Sequence, residues 1–249
     1  MGKETNAKAS LILAMVIFGT IGIFRKYIPL PSGIVACARG ILGVAFLLIF
    51  IKMKHIKMEM GAIKRHLWIL LISGGFIGLN WVLLFESYRY TSVAVATLCY
   101  YMAPIFVMLV SPVLLKEKLT AKKVVCVLVA LTGMVFVSGV LDGGISDISE
   151  LKGIMFGLGA AALYASVVMM NQTLGEVPTY DKTIMQLGAA AIVLIPYILL
   201  VEDMSAVELT TLIIVMLVVV GVVHTGIAYA LYFGSMNGLK AQTVALFSY

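Results

Sequence analysis

Charge is what this chain has least of. Aspartate, glutamate, lysine and arginine make up 12% of its 249 residues, about half the share in a soluble domain. So few charges exclude a domain solvated by water on all sides. Cysteine is scarce as well. Cys37, Cys99 and Cys126 all lie in apolar runs, which argues for buried thiols and against a disulfide framework or metal site. No HExxH, no GxSxG, no ATP-binding motif and no pair of aspartates inside an apolar run occurs. An enzyme working inside a membrane needs a nucleophile with its base, or a metal set. The chain is therefore read as no enzyme, with no cofactor.

What the chain does have is apolar side chain. Hydrophobic residues account for 62% of it and the mean hydropathy is +1.09, the composition of a polypeptide solvated by lipid. Its net charge of +6 is then a statement about membrane topology rather than affinity for nucleic acid. Uncharged or nearly uncharged runs cover Ala9–Phe24, Ile34–Ile51, Leu67–Ser87, Tyr90–Leu115, Val124–Leu141, Gly153–Met170, Thr183–Val201 and Leu212–Phe233. A ninth begins near Ala241, and the sequence stops inside it. About 20 residues cross the hydrocarbon core as a helix, and lipid offers the backbone no other hydrogen-bond partner. The basic start before Ala9 is not a signal peptide, because Arg25-Lys26-Tyr27 stands where a small-residue cleavage site belongs.

Lysine and arginine orient the spans. With the N-terminus in the cytoplasm, the inner segments hold the basic residues at 3, 8, 52–65, 116–123, 182 and 240. The outer segments hold only Arg25, Lys26, Arg89 and Lys152, together with the acidic stretches 142–150 and 202–208. That bias predicts a multi-pass protein of the cytoplasmic membrane with its N-terminus inside.

The pattern also repeats. At a shift of 148, Gly78, Leu83, Phe85, Ser87, Leu98 and Tyr101 meet the same residue types at 226, 231, 233, 235, 246 and 249. At 146, Ala14, Phe18 and Thr20 meet Ala160, Tyr164 and Ser166; at 147, Arg39 meets Gln186. A near-constant shift over three helix pairs predicts two homologous units, 1–141 and 152–249. An odd number of helices per unit makes the repeat inverted, an architecture that puts a binding site near the membrane midplane.

The residues that carry a family resemblance are FGTIGIFRK in the first run and CARGILG in the second. They continue with ESYRYTSVAVATLCYYMAPIF, LLKEKLTAKKVVCVLVALTGMVFV, and the second copy YFGSMNGLKAQTVALFSY. In order, spacing and duplication the chain resembles the drug/metabolite transporter superfamily, in its EamA-like branch of ten-helix transporters, over nearly its whole length. The resemblance implies an all-α polytopic fold, two inverted five-helix repeats, and secondary transport of small metabolites by alternating access. Export of amino acids or related compounds is the usual task. Against that pattern about nine of ten helices are present, and the sequence ends before the family's acidic-proline pair in the ninth helix. Alternatives are a non-transporting truncated remnant or half of a two-chain assembly.

Polar residues at membrane depth are costly and so point to a site. Ser73, Asn80 and Ser87 recur every seven residues on one face, with Trp81 beside Asn80. They either bond between helices or, for Asn80 and Trp81, line a cavity. Tyr100, Tyr101, Tyr164, His224 and Tyr229 complete the cavity candidates. Pro104 cannot donate to the carbonyl of Tyr100 and predicts a kink, either a gate hinge or a packing device. Arg39 and Glu86 lie at similar depth near the outer ends of their helices and are candidates to pair as a gate; Glu86 is also the candidate proton acceptor. His224 either titrates or packs. The expected partners are a small amphipathic metabolite, membrane lipid and a coupling proton. Nucleic acid is not among them, and nothing fixes the oligomeric state.

Overall fold

A computed structural model describes residues 2–25, 27–116, 118, 120–138, 148–203, 208–236 and 238–247. Those residues form helices and no strand: α1 Gly2–Arg25, α2 Ser32–Met53, α3 Met60–Arg65, α4 Leu67–Tyr90, α5 Val93–Tyr100, α6 Ala103–Leu114, α7 Ala121–Ser138, α8 Ile148–Thr173, α9 Thr179–Val201, α10 Thr211–Gly221, a π-helical turn Val222–Ile227, α11 Ala228–Met236 and α12 Ala241–Phe247. Seven stretches among the described residues are long and apolar enough to cross a membrane. They match the expected spans except the ninth, described only as the short helix from Ala241, and Val124–Leu141, whose last residues lie outside the described part, as do residues 142–147, 204–207 and the C-terminal Tyr249.

Local chemistry explains most boundaries. Pro31 and Pro178, 147 residues apart, each hold an extended conformation (φ −52°, ψ 147° and φ −54°, ψ 144°) immediately before α2 and α9. A proline there is pre-set for extended backbone and needs no amide donor. Ser92 opens α5 by accepting the Val95 N–H at 3.1 Å, and Thr210 opens α10 by accepting the Ile213 N–H.

The fold departs from expectation at several places. Span Tyr90–Leu115 is not one kinked helix. It breaks into α5 and α6 at Tyr101–Met102, and Pro104 sits in the first turn of α6, where its missing N–H costs nothing. The eighth span contains the π turn, and a short helix, α3, occupies the basic segment assigned to a loop. Lys182, counted among the inner-loop cations, is fully buried in the first turn of α9. Cys37 is buried and Cys99 partly so, but Cys126 faces outward from α7.

The helices group into two compact units that interleave along the chain. One contains residues 1–78 and 170–239, the other 79–169 and 240–249. Neither is a contiguous half of the sequence.

At the centre of the first unit α2 crosses α9. Gly40 allows it, since a Cβ there would lie 3.1 Å from Ala191 Cβ and 3.2 Å from the Leu187 carbonyl oxygen. Outward from that crossing, relations come in pairs. Arg39 Nε on α2 donates to Thr225 Oγ1 in the π turn at 3.1 Å, and Gln186 Nε2 on α9 donates to Ser73 Oγ on α4 at 2.5 Å. Gly78 lies against Ala190, whose carbonyl oxygen would be 2.9 Å from an added Cβ; Gly226 lies against Phe46 and the Gly43 carbonyl, at 2.8 and 3.5 Å. Arg39 and Gln186, and Gly43 and Ala190, are 147 residues apart, and Gly78 and Gly226 are 148 apart. Side chains at aligned positions thus do equivalent work, one set on α4 and α9, the other on α2 and the π turn.

Two carboxylates fasten the ends of this crossing. Glu202, after α9, accepts the Gly33 and Ile34 N–H groups at 2.5 and 3.1 Å. These are orphan donors of the first turn of α2, where the helix dipole also favours an anion. Asp181, at the start of α9, accepts the Glu59 N–H at 2.8 Å. Glu202 was expected as part of an outer acidic loop, and its neighbours 204–207 lie outside the described residues.

In the second unit the C-terminal helix α12 is tied down by polar contacts. Buried Gln242 donates to Ser111 Oγ on α6 at 2.7 Å and accepts Lys123 Nζ from the start of α7 at 2.5 Å.

Candidate functional site

Asn80 is the only amide in α4, and it is buried. Its Nδ2 donates to the Ala160 carbonyl of α8 at 2.6 Å, using the second lone pair that a helical carbonyl keeps. Its Oδ1 accepts the Tyr100 hydroxyl at 3.4 Å. The Tyr100 ring lies 5.6 Å from that of Tyr164, one turn along α8 from Ala160. Three expected cavity residues therefore converge in the second unit on one amide. Asn80 and Trp81 are buried, whereas Tyr100, Tyr101 and Tyr164 stay half-exposed. The cluster thus sets three partly exposed phenols around a buried amide. Tyr100 and Tyr101 stand at the broken end of α5, and Pro104, buried, begins α6 beyond the gap. Ser87 on the same face of α4 donates to the Gly153 carbonyl at 2.7 Å. It holds helices together, as Ser73 does in the first unit.

Arg39, His224 and Tyr229 belong to the first unit. The π turn places His224 and Thr225 side by side in chain order, and both are buried. Thr225 receives Arg39 and donates its own hydroxyl back to the Val220 carbonyl at 2.9 Å. His224 Nε2 lies 2.9 Å from Thr20 Oγ1 on α1, and its ring lies 4.8 Å from that of Phe24. Tyr229 packs edge-on against Phe18, centroids 5.1 Å apart. A π turn widens the helix by one residue and is enriched at functional sites. Here it turns the histidine toward α1 and the threonine toward α2.

Arg39 and Glu86, expected as a pair, belong to different units, and each has a partner inside its own. Glu86 pairs with Arg89 one turn along α4, at 3.0 Å from each carboxylate oxygen, the usual arrangement at i and i+3 on a helix. Sequence reasoning gave no site role to Thr20, Thr225, Ser111 and Gln242, because a lone hydroxyl or amide carries no mark of its distant partner. Gln186 did carry a signal, its alignment with Arg39.

Comparison with known proteins agrees with this architecture. The model of the EamA-like transporter family matches residues 7–139 and again 151–249. A Bacillus subtilis (strain 168) protein named "Uncharacterized transporter YxxF" is 30% identical over 247 residues, 98% of this chain and 78% of that protein. A solved structure described as "Crystal structure of protein" superposes with a TM-score of 0.85, covering 98% of this chain and 83% of the other. At 17% identity that likeness concerns the fold.

Proposed function

We propose that this chain, which belongs to the EamA-like transporter family, is a secondary carrier for a small amphipathic metabolite, an amino acid or related compound. Membership makes it a multi-pass membrane transporter. Solute class, outward direction, alternating access and the cytoplasmic membrane with the N-terminus inside go further. The orientation rests on the placement of lysine and arginine.

The observation that carries the solute class is the Asn80–Tyr100–Tyr164 cluster beside a broken helix. Half-exposed phenols give a solute apolar faces and hydroxyls, and discontinuous helices are where transporters commonly place their binding sites. Such a lining suits a solute with an apolar body and one or two hydrogen-bonding groups. It supplies no cluster of cations for a nucleotide or sugar phosphate.

Alternating access is supported by the paired relations about the α2–α9 crossing. If 1–141 and 152–249 are inverted repeats, exchanging the conformations of the two copies turns an inward-open carrier into an outward-open one. Ligand-induced stabilisation tests the solute class. A bound solute raises stability by RT ln(1 + [L]/Kd), about 2.7 kcal/mol at a hundredfold excess over Kd. An amino acid or amphipathic relative should raise the unfolding temperature in detergent, and Tyr164→Ala should abolish the rise. Stabilisation by sugar phosphates alone would overturn the assignment.

A further inference from the structure

The repeat relates the two flanks of the α2–α9 crossing, yet they differ chemically. On the α4 flank the side chains are neutral: Gln186 bonds to Ser73, and position 76, which aligns with 224 at the shift of 148, is Phe76. On the other flank stand Arg39 and His224, both buried. A carrier whose two copies exchange conformations feels any group present in one copy as a bias toward one side. That makes the histidine worth following.

The hydrogen bonds around it assign its protons. Thr20 Oγ1 donates its single hydroxyl hydrogen to the Ile17 carbonyl at 2.7 Å. The oxygen of Thr20 is then an acceptor toward His224, so Nε2 carries the hydrogen of the neutral ring and Nδ1 the lone pair. Nδ1 is fully buried and meets no hydrogen-bond donor, while the ring's backbone neighbour, the Val219 carbonyl, can only accept. Few buried polar atoms are left in that state without a reason.

We propose that His224 is a proton-binding site, taking H⁺ at Nδ1, and that the resulting imidazolium clamps α1 to the π turn through Thr20. The proton arrives from water on the acidic side of the membrane and leaves to water on the other, with no bond made except N–H. Protonation converts the Nε2–H···Oγ1 contact into a charge-assisted bond, roughly twice as strong as a neutral one. The other groups around the ring are few. From α1 it meets Thr20 and Phe24, and from its own helix Tyr229 follows the π turn. From α2 Arg39 reaches the adjacent Thr225, while Cys37 turns to the Ala191 carbonyl. The Arg39 guanidinium opposes a second positive charge, so the clamped state is transient and discharges when α1 moves away. Glu86, engaged with Arg89, is not needed for this step.

This inference builds on the carrier reading but is tested without any solute. In nanodiscs, His55→Gln and His66→Gln together leave His224 as the sole imidazole, to be followed by ¹⁵N NMR between about pH 5 and 8. The expected spectrum changes from one bare and one protonated nitrogen to two protonated nitrogens within that range. Thr20→Val should then lower the proton affinity about tenfold, because the imidazolium loses its charge-assisted acceptor. A ring that keeps one tautomer throughout, or a titration that Thr20→Val leaves unmoved, overturns the proposal. If the ring titrates as expected but no solute is ever carried, the proton site stands and the carrier reading fails.

Discussion

At the scale of single residues, Asn80 decides most in the second unit. Asn80→Ala removes a donor to the Ala160 carbonyl and an acceptor for Tyr100. The loss of such bonds costs about 0.5–1.5 kcal/mol each in water and somewhat less on average inside membranes. The unfolding temperature should therefore fall, by about 2–4 °C for each kcal/mol lost. Solute-induced stabilisation should fall further than this, because Tyr100 loses its anchor. Equal losses in both measurements would mean that the cluster is purely structural. Asn80, Tyr100 and Tyr164 were legible in the sequence because amides and phenols at membrane depth are expensive and few. The partners that Arg39 and Glu86 have inside their own units were not, since equal depth says nothing about azimuth. Glu86 has Arg89 on its own helix one turn away, and Arg39 finds Thr225 on a segment 186 positions distant.

At the scale of elements, helix ends and crossings carry the fold. Glu202 satisfies two orphan donors of α2. Glu202→Gln keeps the shape and removes the charge at the positive end of a helix, for a loss of about 0.3–1 kcal/mol. Glu202→Ala removes the acceptor as well and should cost about 0.5–2 kcal/mol. Denaturation curves of the two variants check both the order and the gap. Gly78→Val would put side chain into the Ala190 backbone, 2.9 Å from the first added carbon. Neither helix can retreat without breaking the Gln186–Ser73 bond, so overpacking of about 1–3 kcal/mol is expected. Thermal unfolding of this variant should show it, while Gly22→Val, with open space at its Cβ, should not.

Pro104→Ala restores an amide that can donate to the Tyr100 carbonyl. Helix should then close over Tyr101–Met102, slowing amide exchange at 101–105 and reducing flux. Unchanged exchange would place the cause of the break elsewhere. Hydropathy reported where helices lie. It did not report the break in 90–115, because a proline marks an interruption without saying whether the helix bends or restarts. The π turn left no mark at all in an apolar run.

At the scale of the whole molecule, an all-helical membrane fold was readable from composition and span lengths, because lipid allows so few solutions, and its EamA-like kind from the resemblance that the ordered motifs carry. The interleaving of sequence halves into compact units was not readable, for hydropathy locates spans but leaves their neighbours open. The repeat nevertheless foresaw one detail of packing. Aligning Arg39 with Gln186 picks out the two side chains that bond across equivalent crossings. On the proposed carrier reading, two inverted repeats would exchange conformations, and transport is what such an exchange would do. The most direct measurement is solute flux into proteoliposomes holding the folded protein, screened with amino acids and related amphipathic compounds, with and without a pH gradient. The expected result is saturable flux of at least one such solute, accelerated by the gradient and lost in Tyr164→Ala. Absence of flux for every solute, from protein shown to be folded, would contradict the carrier assignment.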